Sequence, residues 1–123
     1  MLCLQEVDEY IEWKEFLTTF DKKHNNEYGV HYKQRTQVSK SKRESSLVAW
    51  RRKKLECLKT FEIEYNDLLK EFEDETENEK KNEYIRDCVG AGCLLEHRES
   101  KIKLLVVSTH LFWDPEKAFV KLK

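Results

Sequence analysis

Apolar and polar positions alternate along this chain in short bursts separated by charged stretches, a pattern that predicts sheet rather than helix for most of it. The most sharply bounded burst is Lys103–Pro115, KLLVVSTHLFWDP. In extended form Leu104, Val106, Ser108 and His110 share one face, and Leu105, Val107, Thr109 and Leu111 share the other. Both faces are largely apolar, which predicts a strand inside a layered sheet, covered on both sides. An Asp-Pro turn ends it, leaving His110 at the rim. There the imidazole either meets a substrate phosphate or hydrogen-bonds nearby backbone.

The same pattern divides the rest of the chain. Leu2–Val7 reads as a strand with Leu2 and Leu4 on one face, Cys3, Gln5 and Val7 on the other, and Glu6 at its carboxyl end. Asp8 reads as the N-cap of a helix that carries Glu9 and Glu12 in its first turn. Tyr10, Trp13, Phe16, Leu17 and Phe20 recur along it at the interval a helix needs to cover a sheet. Further strands are predicted over Tyr28–Arg35, Ser46–Arg51 and Leu55–Tyr65, the last with an irregularity near Leu58–Thr60. Arg86–Glu96 predicts a central strand approached closely by a neighbour at Gly90 and Gly92, joined through Arg98–Ser100 to the Lys103 strand. Between them, Lys70–Glu83 is almost entirely charged, with Phe72 its only aromatic, and predicts a short helix fraying into a mobile insertion at about residues 70–85. Asp114–Lys123 begins another helix. Strands outnumbering helices in this order give an α+β fold with a largely antiparallel sheet.

Composition bounds the function. With 123 residues, 39% hydrophobic and 38% charged, the chain holds one domain with a modest core. A formal net charge of -1 gives no global attraction for nucleic acid. The cationic region is local: Lys33, Arg35, Lys40, Lys42, Arg43 and the run Arg51–Lys54, which either tracks RNA phosphates or is plain solvated surface. Cys3, Cys57, Cys88 and Cys93 form no Cys-x-x-Cys pair and read as four buried thiols, without zinc or disulfides. The opening has no basic, apolar leader, and no apolar run is long enough to span a bilayer. An intracellular location is expected, in the cytoplasm first, with nucleus and mitochondrion open. Glu6 is either a solvated strand end or a carboxylate whose burial a metal ion compensates.

Two stretches carry a resemblance. Ser108–Pro115 resembles the Thr-His-Leu-x-Trp-Asp-Pro motif of the endonuclease/exonuclease/phosphatase superfamily, specifically its deadenylase branch with Nocturnin, Angel and the fungal Ngl-type RNA exonucleases. Leu2–Asp8 is similar to that family's Leu-Gln-Glu-Val strand, and Tyr32–Thr36 to a strand end of the Ngl-like proteins. Arg86–Val89 resembles Arg-Asp-Asn-Val with Cys88 in place of the asparagine, and Ser45 stands where relatives usually have glycine.

The resemblance implies part of a DNase I-like four-layer αββα sandwich, the chain being a single partial domain over residues 1–123, an N-terminal-half fragment. It implies Glu6 as a Mg²⁺ ligand, His110 as a catalytic residue, and Arg35, Trp113 and Pro115 as substrate contacts. The implied activity is Mg²⁺-dependent 3′-to-5′ hydrolysis of RNA, at poly(A) ends, by in-line attack of water. The family's Gly-Asp-x-Asn and Ser-Asp-His motifs do not occur in the sequence. A lost general base alone costs about 10²- to 10⁴-fold, so this chain by itself is expected to be inactive. Two other readings stay open: a non-catalytic interaction module, and another phosphodiesterase or phosphatase of the superfamily. For the isolated chain, apolar surface is expected over Leu104–Leu111 and Val89–Leu95, with self-association through the exposed sheet.

Overall fold

The computed structural model describes residues 1–8, 19, 22–23, 27–36, 44–68 and 88–111. Their elements are β1 (Leu2–Asp8), β2 (Tyr28–Gln34), β3 (Glu44–Arg51), β4 (Leu55–Glu64), a single helical turn α1 (Tyr65–Leu68), β5 (Val89–His97) and β6 (Lys103–Thr109). The predicted helix after Asp8, the charged insertion at about 70–85 and the helix from Asp114 lie outside the described residues.

The strands form two three-stranded sheets, ordered β1-β3-β2 and β4-β5-β6, and every pairing is antiparallel. Residue alternation decides how the sheets meet. Along β3, Val48 and Trp50 point one way and pack with Leu55, Cys93, Leu95 and Val106 of the other sheet, giving the core between the two layers. Leu47 and Ala49 point the other way and cluster with Val7, Leu4 and Val30 on the opposite face. A strand covered on both faces needs a continuous apolar run, and Leu-Val-Ala-Trp supplies one.

Across from β3 lies β5, where close approach explains the glycines. A Cβ built on Gly92 would lie 2.1 Å from the Phe61 ring, and one on Gly29 2.3 Å from the Trp50 indole. Each ring takes the space of the missing side chain. The irregularity expected near Leu58 is a bulge, with Cys57 opposite Leu95 and Lys59 opposite Leu94.

Three expectations change. The Lys103 strand, β6, is an edge strand among the described residues: there it pairs with β5 alone. Val106 and Ser108 are buried, whereas Leu105 is 69% exposed on the outward face. An apolar run is equally consistent with a central strand and with an edge strand, because periodicity reports faces and not neighbours. Val89–Leu95, expected to be exposed, is buried almost throughout, because the β1-β3-β2 sheet packs over it. Of the four thiols only Cys88 and Cys93 are buried, while Cys57 is half-buried and Cys3 exposed; none of the four is in a disulfide. Among the described residues no helix is long and apolar enough to cross a membrane.

Candidate active site

The carboxyl ends of β1 and β6 and the amino ends of β3 and β5 converge at one end of the sandwich. β1 arrives there through a bulge. Leu4 lies opposite Leu47 and Val7 opposite Ser45, so β1 spends three steps where β3 spends two. The extra residue shifts the phase of the strand and puts Val7 on the same buried face as Leu4, not with Cys3 and Gln5. It also drives Glu6 into the left-handed region, with φ 56°. For a residue with a Cβ that conformation costs about 1–2 kcal/mol.

Glu6 projects from this bulge toward the end of β6. Its Oε1 is 3.4 Å from Nδ1 of His110, the side chains being 62% and 35% exposed respectively. The separation suits an ion pair but is long for a hydrogen bond, and Nδ1 has no hydrogen-bond partner. Of the two alternatives for Glu6, the solvated strand end is the one observed: the bulge turns the side chain outward, and water can solvate it.

One small cleft is lined by Glu6, His110 and Arg35 together with Glu44, Ser45, Ser46 and Val89. Arg35 follows β2 and continues its ladder, its N–H donating to the Glu44 carbonyl at 2.9 Å. Its guanidinium holds the Glu44 carboxylate through Nη1–Oε2 at 2.9 Å. A wider open cleft shares Arg35 and runs along Tyr32, Lys33, Gln34, Thr36 and Glu62. There Lys33 reaches Glu62 of the other sheet at 2.8 Å, and hydrogen bonding to that carboxylate holds the Lys33 ammonium above the ordinary lysine range. Thr36 donates to Glu64. Lys33 and Arg35, the two cations of the basic region that line these clefts, are thus each paired with a carboxylate.

Hydroxyl groups stitch this end of the sandwich together. Ser46 donates to the Val89 carbonyl at 3.3 Å. Thr109 donates to the same carbonyl at 3.1 Å and lies 3.0 Å from the Tyr65 hydroxyl. Ser108 donates to the Leu4 carbonyl at 2.8 Å and accepts from Gln5 Nε2 at 3.1 Å, joining β6 to β1.

The sequence-predicted residues Glu6, Arg35 and His110 are brought together; Trp113 and Pro115, like Lys40, Lys42 and Arg43, lie outside the described residues. Glu44, Ser46 and Ser108 had no expected role. Only Ser108 left a trace, as the polar residue on His110's face of an otherwise apolar strand. Among the described residues no cluster of three or more His, Cys, Asp or Glu side chains forms a metal cage. Glu44 is committed to Arg35. Glu6 keeps an exposed carboxylate and fits as a single hard oxygen ligand, which suits Mg²⁺, an ion usually held by one or two carboxylates and several waters.

No family model matches the sequence. It is 32% identical over 144 residues to carbon catabolite repressor protein 4 homolog 4 of Arabidopsis thaliana, covering 98% of this chain and 33% of that protein. It is 27% identical over 126 residues to a probable CCR4-Not complex 3′-5′-exoribonuclease subunit Ccr4 of Encephalitozoon cuniculi, covering 99% of this chain and 25% of that one. Its fold superposes on ANGEL2, a 2′,3′-cyclic phosphatase solved with adenosine-2′,3′-vanadate, with TM-score 0.69, 26% identity and coverage of 98% of this chain and 30% of that chain. Over nearly its whole length the chain is similar to proteins of the endonuclease/exonuclease/phosphatase superfamily. Among them it resembles the branch that holds Ccr4 and Angel. The human Nocturnin catalytic domain, solved with a bound sulfate, shares the fold at TM-score 0.61 and 16% identity, over 93% of this chain and 37% of that chain. The two facing antiparallel sheets are those of the superfamily's DNase I-like sandwich. The chain spans about a quarter to a third of the length of the curated relatives it matches.

Proposed function

We propose that this chain carries part of the active site of a Mg²⁺-dependent 3′-to-5′ exoribonuclease that acts on poly(A) ends in the cytoplasm. The observation that supports it is the meeting of Glu6 and His110 across two sheets, 3.4 Å apart, in a cleft that also holds Arg35. When bound, Mg²⁺ would neutralise charge developing on the phosphate. Glu6 would hold the ion. His110, with Nδ1 facing Glu6, keeps Nε2 for a phosphoryl oxygen. Arg35 has donors left beyond the one given to Glu44 and suits a second phosphate oxygen. Trp113 and Pro115 would bound the nucleotide. One carboxylate and one histidine do not complete the reaction, so no turnover is expected from this chain alone.

Binding, not turnover, tests this reading. Mn²⁺ titrated into the chain in place of Mg²⁺ should broaden the His110 imidazole signals in NMR spectra, and Glu6→Gln should abolish that broadening with little change in Tm. Equal broadening in wild type and Glu6→Gln would remove Glu6 from the metal site.

A second reading follows from the 26% identity to a 2′,3′-cyclic phosphatase. The same cleft would then take a cyclic phosphate at an RNA end. Protection of His110 by an RNA ending in a 2′,3′-cyclic phosphate, but not by oligo(A) with a free 3′ hydroxyl, would favour it over the exoribonuclease. A non-catalytic interaction module is the reading left if neither RNA nor Mn²⁺ touches the cleft.

A further inference from the structure

We propose that Ser108 is the positioning residue that sets Glu6 against His110, a role that rests on reading those two side chains as the active-site pair. Ser108 is 1% exposed. Its hydroxyl donates to the Leu4 carbonyl at 2.8 Å and accepts from Gln5 Nε2 at 3.1 Å. Leu4 is the last residue in register before the bulge, and Gln5 is the residue directly before Glu6. On the other strand His110 follows Ser108 by two positions, on the same face by alternation. A single oxygen therefore ties the two segments that deliver the pair.

That tie matters because β1 and β6 belong to different sheets, so no ladder of backbone hydrogen bonds fixes the distance between them. It matters more because of the backbone of Glu6. A φ of 56° is not where a glutamate rests when it is free. Released from the clasp, the bulge can relax toward extended geometry, and a one-residue change of phase there swings the carboxylate away from the imidazole. Without the Ser108 hydroxyl, the Leu4 carbonyl and the Gln5 amide both lose this partner.

The experiment compares Ser108→Ala with Gln5→Ala, which alters the same clasp from an exposed residue and leaves the core intact. Thr109→Val is the control, since that hydroxyl joins β6 only to β5 and Tyr65. Two quantities are read on the whole chain: Mn²⁺ affinity from broadening of His110, and amide hydrogen exchange along β1. Ser108→Ala should weaken Mn²⁺ about 10-fold or more, the usual effect of losing a group that orients a ligand. It should also speed exchange about 10-fold at residues 5–7. Gln5→Ala should move both in the same direction by less, and Thr109→Val should move neither, whatever it does to Tm. Ser108→Ala with wild-type affinity and exchange overturns the proposal, as does a Thr109→Val variant that reproduces its effects. If the wild-type chain does not bind Mn²⁺, the metal reading of Glu6 falls separately. The clasp then stands on faster exchange confined to residues 5–7, and falls if exchange is unchanged or faster everywhere.

Discussion

At the scale of single residues, Glu6 shows a backbone and a side chain with opposed interests. Its left-handed φ favours glycine, whereas its side chain lines the cleft, where the proposed site needs a carboxylate. Glu6→Gly should therefore raise stability by about 1 kcal/mol, a few degrees in Tm by thermal melting, while losing Mn²⁺. A lower Tm would mean that the bulge is not under strain. Sequence motifs singled out Glu6 and His110, which the fold brings within 3.4 Å of each other, but not the bulge between Leu4 and Val7. Its only trace is that the apolar positions Leu2, Leu4 and Val7 switch from a spacing of two to three, too brief a signal in a seven-residue strand to separate from a solvated end. Cys93 shows what burial does to a reactive group: desolvation, helped by Cys57 and Cys3, pushes its thiol up to about 12 from 9.0. The folded chain thus keeps a proton that the unfolded chain releases. The stability this contributes is fully present below about pH 9 and is lost as pH rises toward about 12. Lys33, also raised, acts in the same direction. Melting temperature should fall as pH rises from about 9 toward about 12, and fall less steeply in Cys93→Ala. Equal slopes would show that Cys93 is not part of the effect.

At the scale of elements, alternation located the strands well, because a strand's faces are written in its own residues. It also marked the Leu58 bulge, where the phase of β4 slips. What it could not give was neighbours: β6 read as an interior strand and is an edge among the described strands, because Leu105 and Val107 have the same apolar character whether or not something covers them. Gly90 and Gly92 were better guides, since a missing side chain in a strand implies an approaching one. The Phe61 ring makes this testable. With a Cβ at Gly92 only 2.1 Å from that ring, Gly92→Ala should destabilise by about 1–3 kcal/mol in denaturant unfolding, and Phe61→Leu should restore part of the loss. Strictly additive effects would place the ring elsewhere. The turn between β5 and β6 offers the opposite case. Lys101 has φ 60° and its N–H donates to the His97 carbonyl at 2.8 Å, so Lys101→Gly should add stability, far from the cleft, without touching Mn²⁺ binding.

At the scale of the whole molecule, the two sheets bury each other's central strands and leave one outward face apolar. No local pattern announces which sheet will cover which, and so Val89–Leu95 read as exposed although β3 packs on it. The outward face of the β4-β5-β6 sheet keeps the expectation of exposed apolar surface: Leu105 is 69% exposed, Leu58 43% and Val107 38%. Its edge strand β6 has one side free of partners among the described strands. Apolar side chains beside an open edge favour association, by strand pairing or by face-to-face burial. We expect the sedimentation coefficient of the isolated chain to rise with concentration. Leu105→Lys should suppress that rise with little effect on Tm, because a residue so exposed contributes little to the core and a lysine there opposes a second copy. A concentration-independent monomer in the wild type would mean that this face is satisfied within the chain. Association that survives Leu105→Lys would move the contact to another surface.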